Sequence, residues 1–90
     1  MTSKKRTNSL IASEILKICV KGASKTSIVY QANLNFFSAK HYLDRFIERG
    51  LLEVSPMGSR IVYKTTPKGM DLKEQLERFQ SEIGELYACV

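Results

Sequence analysis

Ser38, His41 and Asp44 follow one another at intervals of three, and they are the residue types of a nucleophile, a general base and the carboxylate that orients it. On a helix these side chains fan out around the axis, and no turn beside them supplies donors for an oxyanion, so the set does not make a hydrolase. The same stretch carries Lys40 and Arg45. With Ser38 and His41 they form a cationic, hydrogen-bonding group suited to phosphates and base edges. Glu74, Glu77, Glu82 and Glu85 read as a solvated helix face rather than an acid/base pair. One histidine and two remote thiols, Cys19 and Cys89, cannot assemble a zinc or iron site within one chain. No glycine-rich phosphate loop is present. No cofactor is implied, and the expectation is a binding protein rather than an enzyme.

The chain that must position this group has 90 residues, 43% apolar and 26% charged, enough for one small domain. Its net charge is +5, and the charge is unevenly placed. Residues 1–66 carry 11 basic and 4 acidic side chains, residues 67–90 carry 3 and 5, so the two parts stand at +7 and −2. That asymmetry points to a polyanion-binding part and a separate C-terminal task. No stretch approaches the ~20 apolar residues of a membrane span, and no apolar segment of signal type follows the basic residues 1–6. The expectation is a soluble, cytoplasmic protein, nucleoid-associated if it binds DNA, whose sparse cysteines suit a reducing compartment.

Leu10, Ile11, Ile15, Ile18 and Cys19 recur at helical spacing, with Asn8 or Ser9 as cap and Gly22 in the left-handed position past the end. Ser24 or Lys25 opens a second, short helix reaching Ala32, with Ile28, Val29 and Ala32 apolar. In the Asn33-Leu34-Asn35 turn, Asn33 tolerates positive φ, Leu34 plugs inward and Asn35 caps the next helix. That third helix runs from Phe36 to Arg49, closed by Gly50, and buries Ala39, Tyr42 or Leu43, Phe46 and Ile47. Of the adjacent Phe36 and Phe37, one is expected inward and one half exposed. Leu51–Val54 and Arg60–Thr65 read as two strands joined by the turn formers Ser55 to Ser59. Thr66-Pro67 has the cap-then-proline order that starts a last helix.

A short helix, an asparagine-containing turn, a helix with cations outward and then a hairpin is the layout of a winged helix-turn-helix. The fold expected is mainly α with a small β-hairpin (α+β), followed by a long C-terminal coiled-coil helix. Residues 1–66 form the DNA-binding domain with its basic arm, and residues 67–90 the dimerisation helix. In this layout Phe37, Ser38, Lys40, His41 and Arg45 face the major groove, Arg45 reaching phosphate more readily than a base. Ser59 and Arg60 stand at the hairpin for backbone or minor-groove contact, and Lys25 and Gln31 reach phosphate from the second helix. Lys4, Lys5 and Arg6 form an arm adding sequence-independent attraction. Leu72, Leu76, Phe79, Ile83, Leu86 and Val90 are spaced 4, 3, 4, 3, 4, a heptad seam for a second copy; the alternative is a helix folded back on its own domain.

Several stretches resemble the archaeal winged-helix DNA-binding proteins, and within them the ten-a family of small basic chromatin proteins. They are Glu14 to Lys17, Gly22 to Thr26, Tyr30 to Asn35, Tyr42-Leu43, Glu48 to Leu52 and Tyr63 to Gly69, with Ala32-Asn33-Leu34-Asn35 and Thr66 to Gly69 the most specific. Thr65 departs from the larger aliphatic residue common in that family. The resemblance implies a homodimer held by an antiparallel coiled coil of the last helices, a DNA-binding unit at each end and an architectural action on double-stranded DNA. An antiparallel register opposes Leu72 to Ile83, Leu76 to Phe79 and Gly69 to Leu86, whereas a parallel one sets Lys68 near Lys73. A sequence-specific transcriptional regulator is the close alternative, and a protein-interaction module without DNA binding the distant one. RNA suits the arrangement less well, since no aromatic sheet surface is visible. An anionic membrane suits it least, because the cations and the apolar seam lie in different segments.

Overall fold

A computed structural model describes the backbone of residues 8–88 and the side chains of residues 8–83. Lys4, Lys5, Arg6, Leu86, Cys89 and Val90 lie outside these described side chains. The elements in chain order are α1 (Asn8–Ile18), which tightens into a 3-10 turn over Cys19–Lys21, α2 (Lys25–Ala32), α3 (Phe36–Glu48), β1 (Leu52–Met57), β2 (Arg60–Thr65) and α4 (Pro67–Ala88).

The helix starts follow from local side-chain chemistry. Ser24 Oγ accepts from Ser27 N–H at 3.2 Å, and Asn35 Oδ1 accepts from Ser38 N–H at 2.7 Å, each satisfying an amide that the first turn leaves open. Thr66 Oγ1 accepts from Gly69 N–H at 3.1 Å and donates to the Gly50 carbonyl at 2.6 Å. The start of α4 is thereby tied to the corner between α3 and β1. Asn8 departs from expectation: it is already helical, and its Oδ1 accepts from Tyr42 Oη at 3.0 Å instead of capping α1. Gly22 has the positive φ expected, 93°, but its ψ of 135° takes the chain out of the left-handed helical region and into an extended segment.

That segment adds an element with no signature in the sequence. Ala23 and Tyr63 exchange both backbone hydrogen bonds, at 3.0 and 2.8 Å, so the α1–α2 connection lies along the free side of β2. The hairpin is also longer than expected. Pairing continues from Leu52↔Thr65 to Met57↔Arg60, so Ser55, Pro56 and Met57 are strand residues and the turn shrinks to Gly58-Ser59, with Gly58 at φ 64°. Proline is tolerated there because β1 is an edge strand.

One core closes the domain: Ile15, Leu16 and Cys19 of the first helix and its 3-10 turn, Ile28 and Ala32 of α2, Leu43 and Phe46 of α3, and Leu51 and Leu52. Thr65 is buried beside it and donates to the Leu16 carbonyl at 2.7 Å. Its hydroxyl thus has a use that a larger aliphatic side chain would not supply. Ile47, expected inside, is 37% exposed, and neither Phe36 (56%) nor Phe37 (83%) turns inward, because the buried side of α3 is the narrow stripe Ala39, Leu43, Phe46.

Helix α4 packs along α1. Leu72 rests against the domain core, Gln80 Nε2 donates to Ser13 Oγ at 3.4 Å, and Leu76 and Ile83 are half-buried, while Phe79 is 57% exposed. The seam read as one stripe is therefore divided between the chain's own domain and an open side. Gly69 is buried, and a Cβ on it would overlap the Leu51 carbonyl oxygen. Its space is taken by its own chain. No helix among the described residues is long and apolar enough to cross a membrane.

Candidate nucleic-acid interface

Helix α3 is held from three sides. Its start is set by Asn33, whose left-handed backbone (φ 57°, ψ 50°) ends α2 and turns the chain, and by the Asn35 cap. Its inner stripe is sealed by Ala39, Leu43 and Phe46. Its flank is pinned by Tyr42, which packs edge-to-face on Phe46 (centroids 6.0 Å apart, 67° between planes) while its hydroxyl reaches Asn8 of α1. The outer side, with Phe37, Lys40, His41, Asp44 and Arg45, is open.

Two shallow hollows divide that side. Phe37, Lys40, His41 and Asp44 bound the first, where Lys40 Nζ lies 2.8 Å from Asp44 Oδ2. The hydrogen bond to Lys40 holds the Asp44 carboxyl below its ordinary range, with the charges of Lys40, Lys25 and His41 acting in the same direction. Asp44 in turn raises Lys40, chiefly through the same bond. The second hollow runs beside it between Ser38, His41, Arg45 and Arg49, over a floor of Phe46 and Leu51. No carboxylate among the described residues pairs with Arg45 or Arg49, so both guanidinium groups present unused donors.

Arg60 stands at the base of the hairpin turn and, with Ile61, faces Ser24, Thr26, Ser27 and Tyr30 across a hollow between the wing and the start of α2. Ser59 is exposed at the turn. Lys25 is near enough for its charge to act on Asp44. The structure thus gathers Lys25, Phe37, Ser38, Lys40, His41 and Arg45 about α3, with Ser59 and Arg60 on the neighbouring wing.

Gln31 does not join them. Its amide donates to Ser27 Oγ at 2.7 Å, and it lines a separate groove with Lys17, Lys21, Met70 and Lys73. Two further residues belong to this side without having been expected there. Arg49 reads in sequence as a helix end, yet it continues the Arg45 row one turn on, a spacing of four that was there to be seen. Tyr30, 87% exposed, faces the wing, and nothing local to its sequence marks that role. Among the described residues no cluster of histidine, cysteine and carboxylate side chains is built to hold a metal ion.

Three helices, an αL turn between the second and third, and a hairpin laid against the connection before α2 define a winged helix-turn-helix. The family model described as winged helix-turn-helix matches residues 5–84, and the chain belongs to that family. Sso10a-2, a DNA-binding protein from Sulfolobus solfataricus, has a TM-score of 0.85 to it at 29% identity, over 93% of this chain and 88% of that one. The PcaV transcriptional regulator of Streptomyces coelicolor, in complex with its natural ligand, gives 0.73 at 19% identity, over 100% and 67%. ZitR of Lactococcus lactis in complex with DNA gives 0.71 at 11%, over 96% and 61%. The last two likenesses show a common fold alone. No curated protein sequence matches the chain.

Proposed function

We propose that this protein binds double-stranded DNA, mainly through phosphates and with modest base preference, as a homodimer with an architectural role. The observation that carries the reading is the state of α3. Its inner stripe is sealed in the core, while Arg45 and Arg49 project from its open side with no carboxylate partner among the described residues. A helix so presented fits the ~12 Å width of the B-form major groove, with the wing reaching the adjoining backbone. Lys25, Phe37, Ser38, Lys40, His41, Arg45, Arg49, Ser59 and Arg60 are the residues assigned to the duplex. The likeness to Sso10a-2, itself a DNA-binding protein, supports the same reading.

Residues 1–66 act as the DNA-binding part, and α4 supplies the self-association surface through Phe79, with Leu76 and Ile83 beside it. Two DNA-binding units in one dimer then contact separated segments of duplex.

The test is duplex titration across salt concentrations. Binding to random-sequence duplex is expected to weaken steeply as salt rises, with a log–log slope reduced by about 1 for each arginine removed in Arg45→Ala and Arg49→Ala. No binding to any duplex at low salt would favour a protein-interaction module instead. A preference of about 10³ or more for a selected site would favour a sequence-specific regulator.

A further inference from the structure

The charge on the α3 side is not uniform. Asp44 stands among Lys40, His41 and Phe37 and takes Lys40 Nζ at 2.8 Å, so the hollow these four residues bound carries a cancelled charge, while its neighbour keeps two guanidinium groups with no carboxylate partner among the described residues. Both partners are well exposed, 64% for the Lys40 side chain and 57% for Asp44. A surface pair of this kind adds little to folding. The paired carboxylate leaves approaching phosphate no net cation to bind, and when the bond to Lys40 opens it repels phosphate outright.

We propose that Asp44 is the selectivity-determining residue of the α3 face: it excludes phosphate from the Phe37–Lys40–His41–Asp44 hollow and reserves it for a base edge that offers an amino hydrogen. Cytosine N4 and adenine N6 in the major groove are the fitting donors, because a carboxylate accepts and cannot donate; guanine, which shows that groove only the acceptors N7 and O6, is rejected. The inference rests on the DNA reading of the same face. It assigns the affinity to Arg45 and Arg49 and the preference to Asp44.

Glu48 supplies the control. It is exposed on the same helix one turn further on, at the last residue of α3, and makes no ion pair with the described residues. If the effect of Asp44 were charge alone, removing either carboxylate would act alike.

The experiment compares the full chain with Asp44→Ala, Glu48→Ala, Lys40→Ala and the Asp44→Ala/Lys40→Ala pair on duplexes that differ by single base-pair exchanges. The alanines occupy exposed helix positions and are good helix formers, and thermal melts verify the fold. Asp44→Ala is expected to tighten binding to all duplexes by about 3- to 10-fold and to shrink the spread between best and worst to about 2-fold or less. Its salt slope should steepen by about 1 as Lys40 becomes free for phosphate. Glu48→Ala should leave the ranking of duplexes intact. Lys40→Ala should weaken wild-type binding, because it leaves the Asp44 carboxylate unpaired, and should reverse most of the gain in the Asp44→Ala background, the coupling expected of a pair. An Asp44→Ala protein that ranks duplexes as the wild type does would overturn the assignment while leaving DNA binding in place. A wild type that binds no duplex at low salt would overturn the DNA reading and this inference together.

Discussion

Gly69, in the first turn of α4, lies directly against the carbonyl of Leu51, where the chain leaves α3 for the wing. A Cβ at this position would overlap that oxygen and come within 2.7 Å of Thr65 Cγ2. Around the same point, Thr66 N–H donates to the Leu51 carbonyl at 3.0 Å and Thr66 Oγ1 reaches Gly50. The root of α4 and the end of α3 are thus one rigid joint. The direction in which α4 leaves the domain is set by a glycine.

Gly69→Ala is therefore expected to destabilise the protein, although helix propensity alone would favour alanine by about 1 kcal/mol. The methyl cannot be absorbed by a flexible side chain, because backbone opposes it. Chemical denaturation should show a loss of about 2 kcal/mol or more, in the range typical of overpacked sites. A neutral or stabilising result would mean that α4 can leave the corner freely.

Thr65 ties the wing to α1 through its bond to the Leu16 carbonyl. Thr65→Val keeps the shape and the strand preference but removes the donor, and should destabilise the domain by about 1 kcal/mol in denaturant titration. A more stable Val variant would show that shape alone decides this site.

Cys19 is fully buried, and burial pushes its thiol up to about 12 from an ordinary 9.0. Since the folded value is raised, its contribution to stability is complete below pH 9.0 and is lost as the pH rises towards 12. In a Cys89→Ser background, labelling of Cys19 by a thiol reagent should be slow at neutral pH and should follow unfolding. Rapid labelling of the native protein would contradict this packing.

Phe79 is the apolar side chain of α4 most open to a partner among the described residues. The proposed homodimer is expected to become a monomer in Phe79→Glu by sedimentation or light scattering, with the thermal melt of the domain still two-state. An unchanged dimer would place the self-association surface elsewhere.

The parts of this fold that were legible in sequence are those written in local chemistry. Ser24, Asn33, Asn35 and Thr66 each act within a few residues of themselves, and each does what its type predicts. The rest depends on what lies across the chain. Ser55 and Pro56 have turn propensity, but pairing with Val62 and Ile61 draws them into β1. Phe36 and Ile47 are apolar at plausible positions, yet they stay exposed beside the narrow buried stripe of α3. Gly69 falls in a stretch the family resemblance marks, and its contact with Leu51, far back in the chain, is what gives it a structural reason. At the candidate interface, the helical period of α3 placed Lys40, His41 and Arg45 on the outer side. The partnership of Lys40 with Asp44 was also within reach, at a spacing of four. Gln31 could not be placed from its own helix, because its hydrogen bond to Ser27 and the neighbouring α1 and α4 decide which groove it lines.

Whether the open side of α3 meets a duplex is tested most directly by backbone amide NMR of the protein titrated with a short DNA duplex at low salt. Shifts should concentrate in α3 from Phe37 onward and at Arg49, in the start of α2 and at Ser59 and Arg60, while the Lys17, Lys21 and Lys73 groove stays unchanged. Shifts confined to that lysine groove, with α3 silent, would contradict the assignment.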